Sequence, residues 1–505
     1  MGTGGLSGTG GAIGVGGAVG VGGNVGVGGA DAAGGLPGTG GDGTGGDDGT
    51  GGDDGTGGDD GTGGVTGTGG FVGTGGSQPT GCPVDVDEGP LYAFPGAEGY
   101  GRDATGARGG DVCEVTNLND SGSGSFRDCA SRSGTTVVFR VSGTINGGVS
   151  VASNVTIAGQ TAPGDGIQLR GALGIGADNI IVRYVRVRLD GGGDAISGGH
   201  GNENIIIDHV SASWSTDEVF STYFNENVTI QWSMITEANS ADHKFGGIWG
   251  NNHSTYHHNL FAHCTDRTPR IASGSGFNDV RNNVIYNWAN LATYGCEVHQ
   301  VGDASHVGCS TNVVANYYKP GPGTPEENET RIISPTTRDG AADYGDFYVA
   351  ENFLDGYPEV TADNWLGVIP HYWETIDRDL DAIPGLRLDS PSEFMPINQQ
   401  TAEAAYESVL AHAGCSMPNR DSHDARIVDE IRTGTATHGD GFVSSPTELP
   451  TLNSTEPPAD SDHDGMPDEF EVLCGLDPND PSDRNDVAPD GYTMLEKYLN
   501  SIDSF

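Results

Sequence analysis

Long apolar runs, paired cysteines and basic side chains are missing or scarce in this 505-residue chain. Each gap excludes something. No run of about 18 or more apolar residues occurs, so no segment reads as a membrane-spanning helix. No CxxC pair exists among the eight cysteines, which argues against a zinc ribbon or a redox dithiol. Glycine numbers 86 but holds no G-X-Y period, which excludes collagen. Only 23 Lys and Arg stand against 70 Asp and Glu, a formal net charge of −47. That balance argues against non-specific binding of nucleic acid or anionic lipid. The opening MGTGGLSG lacks the basic and apolar regions of a signal peptide, and Leu6 breaks the myristoylation pattern.

What is present is unevenly spread. Residues 1–80 hold 38 of the glycines, repeat GTGGDD from Gly43 to Asp60, and contain no Lys, no Arg and one aromatic, Phe71. Such a stretch buries too little apolar surface to offset its ordering entropy, so it is expected to be a disordered Gly/Asp-rich tether. A calcium-binding nonapeptide β-roll is disfavoured, because the period here is six. A tether with nothing before it makes little sense, which leads to the expectation of a start further upstream, with a secretion signal. The even cysteine count and the close pairs Cys113/Cys129 and Cys296/Cys309 suit disulfides in an oxidising compartment, with connectivity left open.

From residue 90 to about 360 the chain winds through short β-type runs, among them VVFRV at 137–141, IIVRYVRVRL at 180–189 and IIIDHVSASW at 205–214. No helical period separates them, which argues against a doubly wound sheet. Asn154, Asn179, Asn204 and Asn227 each precede an apolar run, at steps of 25, 25 and 23. A second series, Asn259, Asn283, Asn316 and Asn352, steps by 24, 33 and 36. Recurrence near 24 residues with insertions predicts a solenoid whose stacked coils share one core. Asn at an equivalent turn tolerates a left-handed backbone and can pair its amide with the next coil. The fold class expected is all-β, a right-handed parallel β-helix, with the N-terminal tether and a helical C-terminal extension. An antiparallel sandwich with coincidental spacing is the alternative.

Acids and bases cluster on successive coils: Asp190 and Asp194, then Asp208, His209, Asp217 and Glu218, then His243 and Lys244, then Arg267 and Arg270. Together with FPGAEGYG at 94–101, NLNDSGSGSFRD at 117–128, IDH at 207–209, HK at 243–244 and RTP at 267–269, the chain resembles the secreted pectate lyases of polysaccharide lyase family one. The resemblance covers about residues 90–360. It implies a parallel β-helix that cleaves polygalacturonate by β-elimination with Ca²⁺. On the matching motif positions, Arg267 takes the place of the base, Lys244 that of the residue binding the substrate carboxylate, and Asp194 and Asp217 those of two calcium ligands. Two positions depart from the family pattern. The last Arg of RxPxxR falls on Ala272, with Arg270 as a possible substitute in substrate binding. The second acid of DGxxD falls on Ser221, with Asp190 as the first candidate replacement and Glu218 as the weaker one.

Other residues carry bland readings. Asp208 and His209, inside an apolar run, are expected to make buried hydrogen bonds. His253, His257 and His258 are expected to be solvated or stacked rather than zinc ligands. Arg183, Arg186 and Arg188 divide evenly between substrate contact and structural ion pairs.

The C-terminal third changes texture. TAEAAYESVLAHAG at 401–414 and DARIVDEIR at 424–432 have helical periodicity, with Thr401 and Asp424 as candidate caps. In DSDHDGMPDEFE, Asp460, Asp462, Asp464, the Met466 carbonyl, Asp468 and Glu471 hold EF-hand positions 1, 3, 5, 7, 9 and 12, with Gly465 at the sharp turn. APDGYTMLEKYLN reads as a degenerate partner in which Lys497 replaces the last acid. The expected organisation is a linker over 1–80, a β-helix over 81–360, a helical extension over 361–455 and a calcium module over 456–505. Eight acids lie in the linker, and fourteen lie beyond residue 455 against two bases. Much of the charge is therefore remote from the groove, and a calcium-bridged polyanion remains a fitting partner. The whole reads as a secreted, monomeric, Ca²⁺-dependent pectate lyase. Its rivals are a β-helical pectin hydrolase or methylesterase and a non-catalytic glycan-binding adhesin.

Overall fold

Each coil of the chain lays its β-runs down on the coil before it. The computed structural model describes residue 82 and residues 89–241, 243–299, 308–372, 375–376, 380 and 383–502. The described residues belong to one unit, 78–505. The tether expected over 1–80 lies outside them.

One column of side chains shows why the chain winds. Ile157 aligns with Val182, then Ile207, Ile230, Tyr256, Val280, Val313 and Val349, all in parallel register. All eight are buried, none more than 4% exposed. A lone coil would leave this row in water, so the stack is what stabilises it. A second parallel sheet runs from Gly143–Ile145 through Arg186–Gly191 and Ser211–Ser215 to Phe353–Leu354. Shorter strands such as Leu173–Gly174, Ile196–Ser197 and Arg270–Ile271 form a third face. This is the parallel β-helix read from the spacing, and the antiparallel sandwich is ruled out.

The first asparagine series does both tasks expected of it, since Asn179 Nδ2 donates to Asn154 Oδ1 at 2.8 Å and Asn227 Nδ2 to Asn204 Oδ1 at 3.4 Å, whereas the second keeps only the amide pairing. Asn154, Asn179, Asn204 and Asn227 take left-handed backbone, with φ of 60°, 55°, 61° and 54°. Asn259, Asn283, Asn316 and Asn352 instead form a buried amide ladder, each Nδ2 donating to the next Oδ1 at 2.9–3.0 Å. The ladder ends on Asn364 at 3.1 Å. In that second series the left-handed residue is the preceding one, as at His258 (φ 53°) and Asn282 (φ 55°).

Two helices, Ala402–His412 and Ser422–Thr433, cover the second sheet. Val409, Leu410, Ile427 and Ile431 pack there on Met234, Leu260, Val284 and Tyr286. Thr401 caps the first helix as expected, accepting from the Ala404 amide. The second helix is capped by Asp421, not Asp424, because Asp424 turns inward to Arg188 at 2.7 Å. Arg186 and Arg188 are both fully buried and both pair with Asp421, at 3.2 and 2.9 Å. Arg183 pairs with Asp208 at 2.9 Å, and Gln231 and His209 also reach that carboxylate. These three arginines are thus structural. His258 stacks on Trp232 at 4.3 Å and His253 pairs with Glu226, as the non-metal reading expects.

The last residues return to the first coils. Met466, Phe470, Leu495 and Leu499 pack with Ala158 and Val112, and a disulfide joins Cys474 to Cys82. Two further disulfides are the sequence pairs Cys113–Cys129 and Cys296–Cys309, while Cys264 and Cys415 are buried free thiols.

Candidate active site

Four neighbouring coils place the groove residues in register. Ala195 donates its amide to the Glu218 carbonyl, Glu218 bridges to Phe245, and Phe245 bridges to Asp266. Asp194, Asp217–Glu218, Lys244–Phe245 and Asp266–Arg267 therefore stack one above another. Arg267 sits in left-handed backbone (φ 59°). Its guanidinium lies 4.3 Å over the Phe245 ring, its Nε donates to the Tyr294 hydroxyl at 3.3 Å, and one terminal nitrogen pairs with Glu218. His243 Nε2 stands 3.0 Å from Asp217 and 3.8 Å from Glu218.

The acids here differ in exposure: Glu218 is buried, whereas the Asp217 side chain is 53% exposed. The Asp194 carboxyl is pushed up to about 6, first by burial and then by the Asp217 charge, with Arg267 and Ser221 pulling the other way. Ser221, at the place of the family's second acid, hydrogen-bonds Asp194 and accepts from the Ile248 amide at 3.1 Å. Glu218 stands beside Asp217 in the cluster, and its backbone amide donates to Asp194 at 3.2 Å. Asp190, the first candidate replacement, pairs instead with Arg170. Ligand atoms of Asp217, Glu218 and His243 lie within 4.8 Å of one another, and the carboxylates are hard donors of the kind Ca²⁺ takes.

The remaining expected residues are tied elsewhere. Arg270 is not free to substitute for an arginine at 272, because Glu297 holds it in two bonds of 3.0 and 3.2 Å. Ala272 itself is buried against Phe224, which leaves no outlet for a longer side chain. Lys244 donates from Nζ to the Phe442 carbonyl at 2.7 Å. Phe245, Tyr294 and the primary place of Glu218 escaped the sequence reading. Adjacent acids at 217–218 were the only signal.

The comparisons with known proteins fit this geometry. The chain is 36% identical over 426 residues to the probable pectate lyase C of Aspergillus fumigatus, covering 82% of this chain and 94% of that protein. It is 37% identical over 429 residues to the probable pectate lyase C of Emericella nidulans, covering 82% and 93%. The chain belongs to the pectate lyase family. It is thus a polysaccharide lyase, and the hydrolase, methylesterase and adhesin readings fall. No family model matches the chain. Among solved structures, the cedar-pollen allergen jun a 1 aligns with a TM-score of 0.43 at 16% identity, over 63% of this chain and 92% of that one. Pectate lyase II of Xanthomonas campestris aligns with a TM-score of 0.42 at 15% identity, over 63% and 98%.

A second acid cluster lies in the C-terminal module of this pectate lyase. Asp460 accepts the amides of His463, at 2.8 Å, and Gly465, at 3.1 Å, with Gly465 at φ 94°. Ligand oxygens of Asp460, Asp462 and Asp464 lie within 4.8 Å of one another, and so do those of Asp464, Glu471 and Asp483. Burial and mutual repulsion push Asp464 up to about 7 and Glu471 up to about 8. The Asp468 carboxylate accepts from the Ser461 amide at 2.7 Å and hydroxyl at 2.8 Å. Met466 is buried, and its amide donates to Asp464 at 2.8 Å.

Proposed function

We propose that this lyase cleaves polygalacturonate by β-elimination in the groove of Asp194, Asp217, Glu218 and Arg267, and that it requires Ca²⁺ to do so. The observation carrying this reading is that Arg267 reaches back across one coil to Glu218, beside Asp217 and one coil from Asp194. In a uronate chain the C5 proton lies α to a carboxylate. Its removal places more negative charge on an anionic group, and loss of the C4 oxygen leaves a 4,5-unsaturated sugar. Bound Ca²⁺ supplies charge neutralisation at the substrate carboxylate. Asp194, Asp217 and Glu218 are the residues that would hold it, and the raised Asp194 carboxyl fits a place built for a cation.

Arg267 is the residue placed to take the C5 proton. An arginine stays protonated in ordinary surroundings. Glu218 can serve Arg267 or a hard cation, so its transfer to the cation would leave Arg267 beside a cation rather than a carboxylate. The Phe245 ring and the Tyr294 hydroxyl hold the guanidinium in place meanwhile. Lys244 would bind a substrate carboxylate after leaving Phe442. The enzyme would act outside the cell as a monomer, a setting its three disulfides suit.

We assign residues 460–471 to a second calcium site, structural rather than catalytic. The direct test is the ultraviolet absorbance of the unsaturated product with polygalacturonate, with and without EGTA. Calcium-dependent growth of that absorbance is the expected result. Cleavage without the double bond, or full activity in EGTA, would overturn the reading.

A further inference from the structure

Six carboxylate oxygens of the C-terminal module are buried without a hydrogen-bond partner: both of Asp462, Oδ2 of Asp464, both of Glu471 and Oδ1 of Asp483. Glu471 is 0% exposed and Asp464 1%. Leaving such groups bare is costly, because desolvation removes their water and nothing replaces it. Three of these residues belong to the loop 460–471. Asp483 does not; it opens the short turn Asp483–Asn485. Its Oδ2 is held by the Asp477 amide at 2.9 Å, while its Oδ1 remains bare among the loop acids.

The surroundings supply little positive charge. Arg140 reaches Asp460 at 3.8 Å, and among the described residues no ion pair joins a Lys or Arg to the bare oxygens. The degenerate second half shows the contrast. There Lys497 places its Nζ 2.7 Å from Asp490, so that acid carries its own cation. The first half, residues 460–471, has six acids and no lysine. Two trios of ligand oxygens, Asp460–Asp462–Asp464 and Asp464–Glu471–Asp483, meet at Asp464, and hard oxygen donors of this kind are what Ca²⁺ takes.

We infer that Asp483 is a calcium ligand supplied from outside the loop, so that the ion fastens the segment 477–486 to residues 460–471. The inference rests on the reading of that loop as a calcium site. An ion held this way closes a chain segment as a crosslink does, and it couples calcium binding to the docking of the module on the first coils.

The test uses the full chain stripped with EDTA, with calcium alone as the probe. Each variant is also made with Asp194→Asn, so that groove binding does not confuse the count. Asp483→Asn is expected to weaken calcium binding at this site at least about tenfold and to remove most of the calcium-induced rise in unfolding temperature. Asp480→Asn, which alters a neighbouring exposed acid, should change neither. If Glu471→Gln abolishes the site while Asp483→Asn binds as tightly as the parent, Asp483 is no ligand and the inference fails with the loop reading intact. If neither variant alters binding, the loop reading fails too. Hydrogen exchange of the unaltered chain serves should Asp483→Asn not fold. Calcium should slow exchange across 477–486, and unchanged exchange there would overturn the inference.

Discussion

The groove and the C-terminal module both gather acids, but they treat the charge differently. In the groove, Asp194, Asp217 and Glu218 are interleaved with Arg267 and His243, and one side of the cluster is open to solvent. In the module, Asp462, Asp464, Glu471 and Asp483 are closed in, with oxygens that meet no donor. The first arrangement suits a site that must exchange partners as substrate arrives. The second suits an ion that stays. A third group of acids, Asp421 and Asp424 beneath the helical extension, has permanent buried partners in Arg186 and Arg188, and needs no ion.

The largest effect should come from that third group. Arg188→Ala takes the arginine from buried Asp424 and leaves Asp421 with Arg186 alone, and breaking a buried pair in this way costs about 3–5 kcal/mol. Thermal unfolding should show the loss equally with and without calcium; a calcium-dependent loss would break the distinction from the module. Next comes the groove. Arg267→Ala should lower turnover of polygalacturonate by at least about 100-fold, with the unfolding temperature little changed. Retained turnover would remove Arg267 from the role of base. Glu218→Gln should raise the calcium concentration needed for half-maximal activity roughly tenfold, and an unaltered requirement would take Glu218 out of the cation site.

The smallest effect contrasts buried acids with a buried base. Burial lowers His258 to about 4 from 6.5. Between those values the unfolded chain binds a proton that the folded chain refuses, so stability falls as pH drops through the window. The slope is at most about 1.4 kcal/mol per pH unit. His258→Phe keeps a ring against Trp232 and should flatten the stability profile from pH 6.5 to 4. An unchanged slope would show that other groups set it.

Much of the fold was legible because a solenoid repeats its solution. Val, Ile and Asn recur at each coil for the same physical reason, so their spacing revealed the winding; the close cysteine pairs suggested disulfides, and the structure supplied the connectivity. Cys82–Cys474 was not legible, since 392 residues separate its ends and only the return of the module to the first coils joins them. The acidic loop at 460–471 was legible because its acids are local in sequence. Asp483 was not, because it reaches the loop through a separate turn.

By itself the sequence determined the architecture, the family and the residue types of the groove, since these depend on periodicity and on short contiguous motifs. The tertiary structure decided which charges are spoken for. It tied Arg270 to Glu297 and paired Asp190 with Arg170 at the surface, and it brought Glu218 beside Arg267 and Asp483 beside Glu471. Pairing of that kind depends on distances between coils and turns remote in the chain, and electrostatic energy falls with those distances and rises with burial.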